Sequence, residues 1–223
     1  MLKEIFWRVL VHWNNLIMLI TAIEQLRKFC IDKEYKQAAD LILATEELCN
    51  YFKEYENIKE IIDLRHERDH LCNQLRIQLN EEFKMFDKGS SPEQLYEGWF
   101  AIDALGEQAV NDVRQWFWSF ILESYKEAFR VDEENESAKF ENTERRFAWL
   151  KRTLKDYSNR YESIFPEEWN LKPMLAYEFC KITKLHLDQI LSNSHNEIDL
   201  EVMIKVLRKT LEFEDYLHKR FLS

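Results

Sequence analysis

Glycine and proline are scarce, with three of each in 223 residues. Strand-rich folds need a turn about every 8–12 residues, and those turns draw on both residue types. Their scarcity argues against a sandwich or barrel and for long helices. Three glycines also cannot build a phosphate-cradling loop, and no G-x-S-x-G nucleophile elbow occurs. A basic excess is lacking too: 31 Lys and Arg stand against 41 Asp and Glu, a net charge of -10. That balance argues against nucleic-acid binding and against whole-surface attraction to anionic membranes. Cysteine is thinly spread. Cys30, Cys49, Cys72 and Cys180 form no Cys-x-x-Cys pair, and each falls on or beside an apolar helical stripe. They read as reduced, buried thiols of a cytosolic protein rather than as a disulfide framework or zinc site.

What is present suits a helical scaffold. Charged residues make up 32% of the chain, and the 46% apolar content is enough for a core. The reading is an all-α fold: an elongated antiparallel helical bundle or rod. It divides into a coiled-coil helix over 1–30, a helical hairpin over 31–88 and a helical bundle over 89–223.

The first thirty residues carry the most regular pattern. Leu2, Ile5, Val9, His12, Leu16, Leu19, Ile23, Leu26 and Cys30 keep three-four spacing over four heptads. Phe6, Trp13 and Ile20 widen the seam on one side, Leu10 and Ile17 on the other. So broad a stripe needs more than one partner helix. Membrane insertion is disfavoured by Arg8, His12, Asn14 and Asn15 within it, since a central arginine costs about 2.5–3.5 kcal/mol on insertion scales. The expectation is that the rest of the chain covers the part near Ile20 to Leu26. The face of Leu2, Ile5, Phe6, Val9, Trp13, Leu16, Leu19 and Ile23 then serves partner binding, with the first half the main contact.

Asp32 is expected to cap a second helix, with Ala38 and Ala39 allowing close approach. A third helix carries Ile58, Ile61, Ile62, Leu71, Leu75, Leu79, Phe83 and Phe86. Residues 87–92 read as a linker, with Ser91 capping the next helix and Pro92 at its first position. Leu95 to Leu105 form a shorter helix with Gly106 near its end, and an aromatic helix follows over Val110 to Phe129. The stripe Phe140, Phe147, Leu150, Leu154, Tyr157, Tyr161 and Ile164 predicts another helix, stopped by Pro166. Two more helices follow, separated by a turn at 192–196.

Two constellations have the residue types for chemistry. His66-Glu67-Arg68-Asp69-His70 matches H-E-x-x-H, the zinc-protease string. Its surroundings are charged and no glycine turn brings a third ligand, so it reads as two histidines on a water-facing surface. A zinc hydrolase is the rival function that it would support. Arg145, Arg146, Lys151, Arg152 and Lys155 form a basic cluster in an acidic chain. It reads either as a solvated, salt-bridged face or as a patch for an acidic partner or lipid headgroup.

The stretch Phe140-Glu141-Asn142-Thr143-Glu144-Arg145-Arg146-Phe147-Ala148-Trp149-Leu150-Lys151-Arg152, with Phe165-Pro166-Glu167-Glu168-Trp169 and Glu178-Phe179-Cys180, resembles the vacuolar protein sorting-associated protein 53 family. The resemblance is strongest over Glu144 to Cys180, continues through Leu207 to Phe221, and is weaker at Ile20 to Leu26 and Leu48 to Phe52. Members of that family are much longer, which implies a piece from the amino-terminal half. The resemblance implies a non-enzymatic subunit of the Golgi-associated retrograde protein complex, a vesicle tether acting between endosomes and the trans-Golgi network. It implies a cytoplasmic protein, peripheral on those membranes. Sister subunits join through amino-terminal helices, and SNAREs and small GTPases engage the assembled complex. No cofactor and no nucleic acid is implied. The residues alone support only an acidic helical scaffold, and a helical adaptor of another trafficking complex fits them equally.

Overall fold

The computed structural model describes residues 2–55, 57–85, 92–132, 135–162, 164–193 and 199–221, without the side chains at 2 and 92–96. The expected linker at 87–91 with its Ser91 cap, Phe86, Glu133–Glu134 and the turn residues 194–196 lie outside that set. Among the described residues the chain is all-α and has no strand. The helices are α1 (Leu2–Asp32), α2 (Tyr35–Tyr51), α3 (Lys59–Met85), α4 (Pro92–Ala104), α5 (Glu107–Ala128), α6 (Thr143–Arg160), α7 (Leu171–Asn193) and α8 (Leu200–Phe221). The chain forms two compact units, Met1–Val113 and Arg114–Ser223. The divisions expected after residues 30 and 88 therefore differ from the packing. α1 lies on α2 and α3, and α4 lies on α2 and α3, so all four belong to one unit.

In the first unit α1 and α2 form a hairpin. Lys33, at φ 58°, supplies the left-handed residue that reverses the chain. Asp32 is the last residue of α1 rather than a cap; Glu34 precedes α2 and makes no side-chain capping bond. Ala38 and Ala39 are buried, and their small side chains let α2 lie close against its neighbours. Leu71, Leu75, Leu79 and Phe83 form the buried stripe of α3 at helical spacing. The Tyr35 hydroxyl donates to Glu82 (2.7 Å) and accepts from Gln78 (3.0 Å), which ties the start of α2 to the end of α3. Gly106, at φ 92°, makes the turn between α4 and α5.

The second unit is built on aromatic packing. Leu122, Tyr125 and Phe129 of the α5 end, Phe147, Leu150 and Leu154 of α6, Leu175 and Phe179 of α7, and Phe213 of α8 share one core. Phe117 sets its ring edge-on to Tyr157, Tyr161 and Phe165. The expected aromatic stripe of α5 is only partly inward: Phe120 is exposed and stacks on half-buried Trp116. α6 ends at Arg160, and Tyr161 and Ile164 are buried beyond it. Asn170, at φ 51°, then turns the chain into α7.

Gly98 of α4 packs directly against α3. A Cβ there would stand 3.1 Å from Leu79 Cδ2 and 3.7 Å from Phe83. Gly98→Leu is expected to lower unfolding free energy by about 1–3 kcal/mol through overpacking. Urea titration followed by circular dichroism measures it.

Candidate assembly face

Helix lengths decide what the chain leaves open. At about 1.5 Å per residue, α1 runs roughly 46 Å and α2 only roughly 25 Å. Returning antiparallel, α2 runs out opposite the middle of α1. The contacts mark the end of its cover: Tyr51 and Tyr55 bond the two ring nitrogens of His12, at 2.6 and 3.1 Å. Farther along, Arg27 pairs with Glu67 of α3. Leu19, Ile23 and Leu26 are therefore fully buried, while Ile5, Phe6, Val9 and Trp13 are 55–65% exposed.

This corrects two members of the expected partner face. Leu19 and Ile23 belong to the chain's own core. Leu16 is half-buried, and the side chain of Leu2 lies outside the described residues. The uncovered part is apolar on several sides, because Trp7, Leu10, Val11, Ile17 and Met18 are exposed as well. Helix Lys3–Asp32 is long and apolar enough to cross a membrane, by length and composition only.

The basic cluster divides. Arg145, Arg152 and Lys155 are exposed on α6, and no ion pair joins Arg145 to Glu141 among the described residues. Lys151 lies over the Tyr216 ring, 4.7 Å from its centroid. Arg146 does not belong to the patch. It sits one position from Arg145, which turns it toward the buried face of Thr143, Phe147 and Leu150, and it is fully buried. Its guanidinium donates to the Ala138 carbonyl (3.2 Å), the Phe129 carbonyl (3.5 Å), the Tyr125 hydroxyl (3.1 Å) and His186 Nδ1 (3.2 Å). Because arginine only donates, His186 Nδ1 must accept, and the ring is the neutral Nε2–H form. Burial, then the charges of Arg146 and Lys126, lower the His186 pKa below its ordinary value.

The H-E-x-x-H residues do not converge. His66 and His70 are exposed, and Glu67 is engaged by Arg27. Among the described residues no group of three or more His, Cys, Asp or Glu is placed to hold a metal ion. Burial also raises the pKa of all four thiols, that of Cys30 to about 11, which keeps them protonated.

The family profile described as "Vps53, N-terminal" matches residues 6–223. The chain belongs to the Vps53 family. It is 31% identical over 214 residues to vacuolar protein sorting-associated protein 53 A of Arabidopsis thaliana, covering 93% of this chain and 25% of that protein. The homologue in Caenorhabditis elegans is 26% identical over 210 residues, 93% of this chain and 26% of the relative. The Saccharomyces cerevisiae protein is 29% identical over 108 residues, 48% of this chain and 13% of the relative. The chain thus spans about a quarter of the length of the first two. No solved structure matches it.

The profile places residues 6–19 inside the Vps53 region, ahead of where the resemblance was legible in the sequence. Sequence reasoning also missed the Arg146 network. The available signal was position: Arg146 stands one residue before Phe147 and four before Leu150, on the core stripe.

Two outcomes are expected from α6. Arg146→Ala would strand the Phe129 and Ala138 carbonyls and His186 Nδ1, at about 1–3 kcal/mol per unsatisfied group, whereas Arg145→Gln should change stability by less than about 0.5 kcal/mol. Denaturant unfolding of both variants separates them. A group with a depressed folded pKa contributes stability above its unfolded value, about 6.5 for histidine, and loses it as pH falls through the folded value. Wild-type stability should therefore drop on acidification below about pH 6.5 more steeply than that of His186→Gln, whose amide oxygen can still accept from Arg146. Unfolding curves collected from pH 7.5 to 5 provide the comparison.

Proposed function

We propose that this chain is the assembly-bearing amino-terminal portion of a non-catalytic subunit of a multisubunit vesicle tether. Family membership supports the tethering role, since the relatives are named for vacuolar protein sorting. The observation that carries the assembly role is the uncovered apolar half of α1. Burying a Leu, Ile or Phe side chain is worth about 1.5–3 kcal/mol. Ile5, Phe6, Val9 and Trp13 left in water forgo that several times over, and an apolar patch of this kind marks an interaction site. The occupants in this reading are helices of sister subunits, packed along the seam where α2 no longer reaches. The setting is retrograde transport from endosomes to the trans-Golgi network, on the cytoplasmic side of those membranes. SNAREs and small GTPases engage the assembled complex, and Arg145, Arg152 and Lys155 offer an exposed basic face to an acidic partner or lipid headgroup.

The test targets exposed positions, so that the fold survives. Val9→Asp with Trp13→Asp in the full-length subunit should abolish co-purification of its sister subunits while leaving the helical circular dichroism unchanged. Co-purification at wild-type yield would remove α1 as the assembly element. If soluble complex still forms but vesicle binding is lost, the bilayer is the occupant instead.

A further inference from the structure

α8 has two apolar faces, and the chain uses one. Val206 and Phe213 are buried, Phe213 within the second unit's core, and Tyr216 and Leu217 pack against that core. Leu200, Ile204, Leu207 and Leu211 recur at steps of four, three and four on the opposite side. Ile204 stands nine residues before Phe213, half a turn away in angle. Those four are 51–69% exposed. A surface helix needs one apolar stripe. The second one borders a groove of about 610 Å³ between α7 and α8, whose walls include Leu187 and Leu191 on α7 and Met203 and Leu207 on α8. Both helices pack on α6 but scarcely on each other, so the groove stays open along its length.

Charges beside the stripe indicate what fits it. On the flank away from the groove lie Glu201 and Arg208, both exposed and neither ion-paired among the described residues. Set two copies of α8 antiparallel, with a two-fold axis between Ile204 and Leu207. Leu200 of one copy then meets Leu211 of the other, Ile204 meets Leu207, and Glu201 lies beside Arg208 of the second copy. The two-fold repeats each contact, so both charge pairs form at once. The stripe and its flanking charges are thus complementary to themselves.

We propose that this face is a self-association surface: a second copy of this chain docks antiparallel along α8 through Leu200, Ile204, Leu207 and Leu211, held in register by Glu201–Arg208 pairs. A few apolar side chains per copy fall short of the roughly 20–30 residues a side of a standard interface. The dimer is therefore a weak one, with a dissociation constant in the micromolar range.

Sedimentation equilibrium of the 223-residue chain, from about 1 to 200 μM, tests the proposal. The wild-type chain should show a monomer–dimer equilibrium, and Leu207→Asp should abolish it without loss of helix. Arg208→Glu and Glu201→Arg each set like charges together at both symmetric positions and should weaken dimerisation about tenfold. Combined, they restore the opposite-sign pairs and should return the wild-type constant. Because both charge positions are exposed, this rescue does not depend on whether Leu207→Asp folds. A monomer throughout the range overturns the proposal. So does association that neither Leu207→Asp nor the charge reversals alter, since it would then arise at α1 or another surface.

Discussion

The constraint that governs this chain is the unequal length of its first two helices. A helix with apolar residues on most of its circumference is stable in water only where something covers it. α2 and α3 cover α1 from Leu19 onward, and the tyrosines after α2 reach back as far as His12. Beyond that point Ile5, Phe6 and Val9 are exposed, although the heptad seam continues through Val9 and Ile5. The core of that unit and its open surface are thus two ends of one stripe. Leu19 and Val9 are chemically alike; what separates them is the reach of the returning helix.

The second unit answers a different requirement. Between α5 and α6 the chain passes through short 3-10 turns at Glu136–Ala138 and Phe140–Asn142, which leave carbonyls turned inward. Arg146 serves them. One guanidinium takes the Phe129 and Ala138 carbonyls and also joins α5 to α7 through Tyr125 and His186. The Tyr125 hydroxyl in turn bonds Thr183 at 2.6 Å. Among the described residues no carboxylate takes part, and the buried cation is met by neutral acceptors and by the Phe129 ring, 4.9 Å from its centroid. Removing an acceptor therefore leaves a buried charge less well compensated, which costs more than one bond between neutral groups.

The sequence made the fold class legible, because glycine and proline were too few for anything but helices. It also made most helices legible, because stripes such as Leu71, Leu75, Leu79 and Phe83 need no tertiary knowledge to be seen. Periodicity shows which residues share a face, but not where the cover over that face ends. For that reason Leu19 and Ile23 were grouped with Val9 although a partner helix separates them. Charge identity misleads in the same way. Arg145 and Arg146 look alike in the sequence, and a rotation of about 100° between neighbours sends one to water and the other to the core. The compact units were obscured for a similar reason: the residues before Pro92 read as a linker in the sequence, while α4 packs back on α2 and α3. In α8, apolar spacing alone does not tell which residues meet the core: Phe213 is buried and Leu207 is exposed.

The central claim is that the first half of α1 is bare in the isolated chain and covered on assembly. Amide hydrogen exchange reads this directly by comparing residues 3–17 with residues 19–30, in the isolated chain and in the purified multisubunit complex. The account predicts fast exchange over residues 3–11 in isolation, slow exchange from Leu19 onward, and strong protection of residues 3–17 only in the complex. Equal protection of the two halves in the isolated chain, or no added protection over residues 3–17 in the complex, would contradict it.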